Sequence, residues 1–127
     1  MINYEWFGAY VAVNVLIVTL LALNVSYKRI KLGVANGDAD NREMKKTIRA
    51  HGNSVEHISI FGLVVLALAV IQSAPVVQCV LVVLFTLGRV LHAYGMLSSM
   101  FNVRRVAIVM TYCAELSGVL ALIYYLI

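Results

Sequence analysis

The chain has 127 residues, of which 62% are hydrophobic and only 13% charged, with a mean hydropathy of +0.90. A soluble domain of this size carries roughly a quarter charged residues and about half apolar ones, so these figures exclude an ordinary soluble fold and point to a chain solvated by lipid. The net charge of +4 is read as a topology signal; with no soluble module left to read bases, nucleic acid is not an expected partner.

A membrane helix needs about 20 mostly apolar residues. Four stretches supply them or nearly do, predicting helices over about 6–27, 46–71, 76–97 and 105–126 within a single domain, 1–127. The expected fold is an all-α integral membrane protein, a four-transmembrane-helix bundle. The first stretch has Glu5 where a secretory leader would be basic, and no small-residue cleavage site follows, so it reads as a retained helix. Next comes "KLGVANGDADNREM", whose Gly33, Gly37, Asp38, Asp40 and Asn41 are turn formers and predict a loose connection. Lys28, Arg29, Lys31, Arg42, Lys45, Lys46 and Arg49 surround it. The second connection, "QSAPVVQ", is uncharged, and the third carries Arg104 and Arg105. The positive-inside rule then puts loops 1 and 3 in the cytoplasm and both termini outside. Cys79 and Cys113 sit in apolar helices and read as small hydrophobes rather than a disulfide. No Cys/His cluster has metal-ligand spacing, so no metal is expected.

The polar residues within the spans are unevenly spread. With a rise of about 1.5 Å per residue, Arg89 lies roughly 10 Å and Glu115 roughly 13–14 Å from the expected cytoplasmic helix ends. Asn24, Asn53, Glu56 and His92 fall in the same half, while the outer half is nearly all Leu, Val, Ile and Ala. Helical spacing then lines up Tyr10, Asn14, Ile17, Leu21, Asn24 and Lys28 on the first helix and Arg49, Asn53, Glu56 and Ile60 on the second. It does the same for Arg89, His92, Met96 and Ser99 on the third and for Arg104, Ile108, Thr111, Glu115 and Gly118 on the fourth. Arg89 and Glu115, at similar depth, suit a structural ion pair, and Asn14 and Asn24 suit interhelical hydrogen bonding. Even so, Arg49, Arg89 and Arg104 or Arg105 outnumber the acids Glu56 and Glu115, and surplus guanidinium suits an anionic ligand. On this reading "TIRAHGNSVEH" is the rim of a ligand cavity, with His51 as rim packing and His57 interfacial. Gly8/Ala12, Ala114/Gly118 and Gly88 with Gly95 supply small faces for close helix approach, within or between subunits.

The pattern Arg-x-His-x-Asn-x-x-Glu in "RAHGNSVE", followed by Gly-Arg-x-x-His in "GRVLHAYG", resembles the MAPEG superfamily of membrane proteins in eicosanoid and glutathione metabolism, and its small bacterial branch in particular. The resemblance covers essentially the whole chain. It implies a homotrimer in a bacterial inner membrane, with sites between subunits that bind glutathione as co-substrate and act on a lipophilic small molecule from the surrounding lipids. Carried over by position, Arg49, Asn53 and Glu56 would bind the tripeptide, Arg89 and His92 would lie deeper in the cavity, and Arg29 or Lys28 would meet a glutathione carboxylate. The thiolate-stabilising arginine would be Arg104 or Arg105, which fit equally well.

The chain departs from the family pattern in three places, the first being Glu115 within the fourth helix, which is not part of that pattern. Ile108 or Val109 stands where some members have a hydroxyl one turn into the fourth helix, with Thr111 and Tyr112 the nearest hydroxyls. Ser59 or Ile60 stands where a helix-bending Pro often occurs. The expected activity is a glutathione-dependent transferase or peroxidase. The alternative is a non-catalytic member holding a lipid or anionic ligand between subunits. A transporter built on Glu115 is disfavoured by the uncharged outer half.

Overall fold

The computed structural model describes residues 4–127. It consists of α1 (Glu5–Leu32), α2 (Arg42–Val70), α3 (Pro75–Leu97) and α4 (Phe101–Leu126), each long and apolar enough to cross a membrane. Three boundaries differ from the sequence expectation, and local chemistry explains each. Helix α1 runs on to Leu32 because Gly33 (φ +65) ends it in the left-handed conformation, with Val34 N–H donating to Arg29 O at 3.0 Å. Helix α2 starts at Arg42, not near 46, because the Asn41 side chain accepts the Glu43 and Met44 amides at 2.9 and 3.0 Å. Helix α4 starts at Phe101, not near 105, after a tight turn in which Ser99 takes φ +59 and Met100 N–H bonds back to Gly95 O at 2.9 Å. The expected loose connection therefore shrinks to residues 33–41, where Asp38 accepts the Asp40 amide.

Helix α1 lies against α2 and α3, α2 against α3 and α4, and α3 against α4, whereas among the described residues the α1 and α4 backbones stay apart. Lys46 Nζ donates to Ser99 Oγ at 2.7 Å, tying the α1–α2 end to the α3–α4 turn. The Ala74 amide donates to Tyr125 Oη at 3.0 Å, tying the α2–α3 connection to the C-terminal turn of α4. Both basic connections thus share one end of the bundle, and the uncharged one lies at the other.

The uncharged end holds the core. Phe61 and Phe85 stack with ring centres 4.2 Å apart, and Tyr10 packs against both while its hydroxyl donates to Ile58 O at 2.6 Å. Asn14 Nδ2 donates to Tyr10 O and to Thr86 Oγ1, each at 3.0 Å, the interhelical link expected of it. Of the small residues, Gly88 and Gly95 serve α3–α4 contact inside one chain: a Cβ at Gly95 would stand 2.8 Å from Arg104 N. Gly118 meets Val64 and Phe61 of α2, whereas Gly8 faces open space. Both cysteines are free; Cys79 is half-buried, but Cys113 is exposed on α4, so the packing expected of it is not made within the chain.

Candidate functional site

At the basic end a cleft opens between α2, α3 and α4. It has two lobes that share Arg49, Met96 and Arg104. The inner lobe, about 530 Å³, is completed by Asn53, Glu56, His92, Gly52, Ile48 and Ile108. The outer lobe, about 410 Å³, is completed by Arg42, Lys45, Lys46, Gly95, Ser99 and Phe101. The structure therefore brings Arg49, Asn53, Glu56, His92 and Arg104 to one inner lobe, from residues far apart in sequence. The i, i+4, i+7 spacing on α2 and the close α3–α4 approach at Gly95 produce this convergence.

Arg89 lies immediately behind the inner lobe and is 1% exposed. Its Nη2 donates to Asn53 Oδ1 (2.8 Å), Ser54 Oγ (3.3 Å) and His92 Nδ1 (3.1 Å), and its Nη1 reaches Thr111 Oγ1 at 3.5 Å. None of these partners is a carboxylate, and Arg89 Nε has no partner among the described residues. The structural ion pair suggested for Arg89 and Glu115 is not formed. Glu115 Oε1 instead meets His57 Nδ1 at 2.7 Å, because α4 turns Thr111 towards Arg89 and presents Glu115 one turn further along, opposite α2. His57 is accordingly not interfacial as the sequence suggested; it is the half-buried partner of an acid within the span.

The Arg89–His92 contact also fixes the imidazole. A guanidinium only donates, so His92 Nδ1 must accept and the proton sits on Nε2. His92 is thereby set as a neutral hydrogen-bond donor towards the lobe that it lines, not as a base.

The two arginines that open α4 are separated clearly. Arg104 lines both lobes, donates to Met96 Sδ at 3.5 Å and keeps a buried Nε without a partner. Arg105 lines a different, shallow groove with Asn102, Val106, Val109 and Met110. One residue along a helix is a rotation of about 100°, enough to put the pair on different surfaces. Arg29 lines neither lobe; its guanidinium closes the end of its own helix, donating to Ala35 O at 3.3 Å and Gly37 O at 3.1 Å. Lys28 pairs with Glu43 beside a separate cavity of about 150 Å³ near Asn24. Sequence reasoning missed Ser54 as an Arg89 partner. Its signal was a hydroxyl directly beside Asn53 in the polar stretch "TIRAHGNSVEH".

The comparisons with known proteins agree with this picture. A profile of the MAPEG family matches residues 7–124. The inner membrane protein YecN of Escherichia coli (strain K12) is 30% identical over 117 residues, which cover 92% of this chain and 89% of that protein. The protein of the same name from Escherichia coli O6:H1 matches to the same extent. No solved structure gives a significant match.

Proposed function

We propose that this chain, which belongs to the MAPEG family, is a glutathione-dependent transferase or peroxidase of the bacterial inner membrane acting on lipophilic electrophiles. The observation that carries the reading is Arg104, a guanidinium without a carboxylate partner among the described residues, on the wall of a lobe that also holds Asn53, Glu56 and His92. Glutathione in the inner lobe would set its α-ammonium against Glu56, a carboxylate against Arg49 and its thiol against Arg104. A free thiol of this kind has a pKa of about 8.5, and only the thiolate is a good nucleophile. A guanidinium beside the sulfur favours the anion, and the displaced proton leaves to water at the rim. The sulfur then bonds to an electrophilic carbon and the leaving group departs with the bonding pair. With a lipid hydroperoxide, it attacks the peroxide oxygen, the O–O bond breaks to release an alcohol, and a second thiol yields the disulfide and water.

The same reading includes a homotrimer with loops 1 and 3 in the cytoplasm. Arg49 and Glu56 are exposed on the open side of the cleft, and the basic side chain expected from the end of α1 lines neither lobe of its own chain. A neighbouring subunit would supply both the missing wall and an Arg29.

A second reading is a binding protein that does not turn over. It is favoured by one observation: among the described residues, no hydroxyl side chain lines the inner lobe, where Ile108 stands. The deciding experiment is ultraviolet difference absorption of the detergent-purified protein titrated with glutathione near neutral pH. A thiolate signal lost in Arg104→Ala and kept in Arg105→Ala is the expected outcome. A shift of one pKa unit corresponds to about 1.4 kcal/mol of differential stabilisation. Binding of glutathione and its S-methyl form with equal affinity and no thiolate would instead establish the binding protein.

A further inference from the structure

The outer lobe differs chemically from the inner one. Arg42, Lys45, Lys46, Arg49 and Arg104 line it, and no carboxylate does. Lys45 is paired with Asp40 outside the lobe, an exposed contact of the kind that contributes little. Lys46 donates only to neutral acceptors, Leu97 O at 3.4 Å and Ser99 Oγ at 2.7 Å. A tripeptide in the inner lobe would draw on Arg49 and Arg104. Arg42 and Lys46 would still face the outer lobe, neither in a salt bridge among the described residues, the carboxylate nearest Lys46 being Glu43, which is paired with Lys28.

Two further features favour an anion there. Helix α4 begins at the lobe with no side-chain cap, so its first-turn amides lack the acceptor that Asn41 gives α2, and such amides attract negative charge. Beside the cations lie Phe101 and Met96, an apolar surface at the end of the spans, where lipid headgroups give way to acyl chains. Positive charge and unsatisfied amides next to an apolar surface at that depth suit an anionic head on an apolar tail.

We propose that the outer lobe binds the phosphoryl headgroup of an anionic phospholipid, with Arg42 and Lys46 as its charge partners and the first-turn amides of α4 as further donors. The site stands whether or not the inner lobe takes a tripeptide.

The test is native mass spectrometry of the intact protein in a non-ionic detergent, supplied with equal amounts of phosphatidylglycerol and phosphatidylcholine. Wild type should retain the anionic lipid in preference by about thirtyfold, the scale of two basic contacts at a membrane surface. Arg42→Gln should lose part of that preference and Arg42→Gln with Lys46→Gln nearly all of it. Lys31→Gln, a change to an exposed cation that lines neither lobe, should keep it. Because Arg42 is exposed, its single variant reports even if loss of Lys46 loosens the turn. Equal retention of both lipids by wild type, or an unchanged preference in the double variant, would overturn the site. Displacement of the lipid by millimolar inorganic phosphate would overturn the lipid as occupant and assign the lobe to a soluble phosphoryl anion.

Discussion

At the end of the bundle that holds the α2–α3 connection, Tyr10, Phe61 and Phe85 fill the space between three helices, and the one hydroxyl among them finds a backbone carbonyl. At the opposite end Arg89 is buried as deeply as those rings, yet it has only neutral acceptors and an unused Nε. The first region gains from being closed: dispersion contacts are the main attraction between helices whose alternative neighbours are lipid tails. The second region is costly as it stands and becomes favourable only when negative charge arrives. Its cost is carried by the packing of the other half, and the difference marks the half proposed to bind.

Substitutions in the two regions should therefore behave in opposite ways. Phe61→Ala should show the largest effect on stability, about 3 kcal/mol. That is the low end for such a truncation, because the reference state is still in lipid and only packing is lost; unfolding in mixed detergent micelles measures it. Arg89→Leu should leave stability within about 1 kcal/mol, since removing a buried charge that touches no carboxylate offsets the hydrogen bonds lost. It should nonetheless weaken glutathione binding by about tenfold or more in calorimetry, and a loss of stability as large as that of Phe61→Ala would make Arg89 a structural residue. Glu115→Gln, which keeps the shape but removes the acid that His57 meets, should cost about 1 kcal/mol in the same unfolding assay. The smallest effect should be Ser99→Gly. Glycine relieves the positive φ by about 1 kcal/mol, while loss of the Lys46 anchor returns most of that, leaving a net change near zero with higher mobility of Lys46 by NMR.

Much of this architecture could be read from sequence. The four spans, the gathering of polar residues at one end and the stripe of Arg49, Asn53 and Glu56 on α2 follow from hydropathy and helical spacing, whereas placing His92 in the same cavity rests on the family resemblance. Asn14 behaves as spacing suggests, on the inward face and bonded across to α3. What stayed hidden depends on rotation and partner choice between helices. Arg104 and Arg105 are equivalent until the α3–α4 contact at Gly95 fixes how α4 is turned. Depth alone places Glu115 beside Arg89, but depth says nothing of azimuth, and His57 takes the acid. Helix ends were misjudged where hydropathy faded before the helix did. In α1 the basic residues up to Lys31 remain good helix formers until Gly33 stops them.

The separation of the α1 and α4 backbones bears on how the chain is assembled. The α1–α2 and α3–α4 pairs are two helical hairpins, joined by a short connection with no charge at residues 71–74. Each hairpin closes through its own connection, and no α1–α4 backbone contact interlocks the two. Biogenesis can therefore proceed hairpin by hairpin, the second docking on α1 and α2 once they are in the bilayer. A gene split within the connection, with its halves co-expressed, should give two fragments that find each other and restore the cleft.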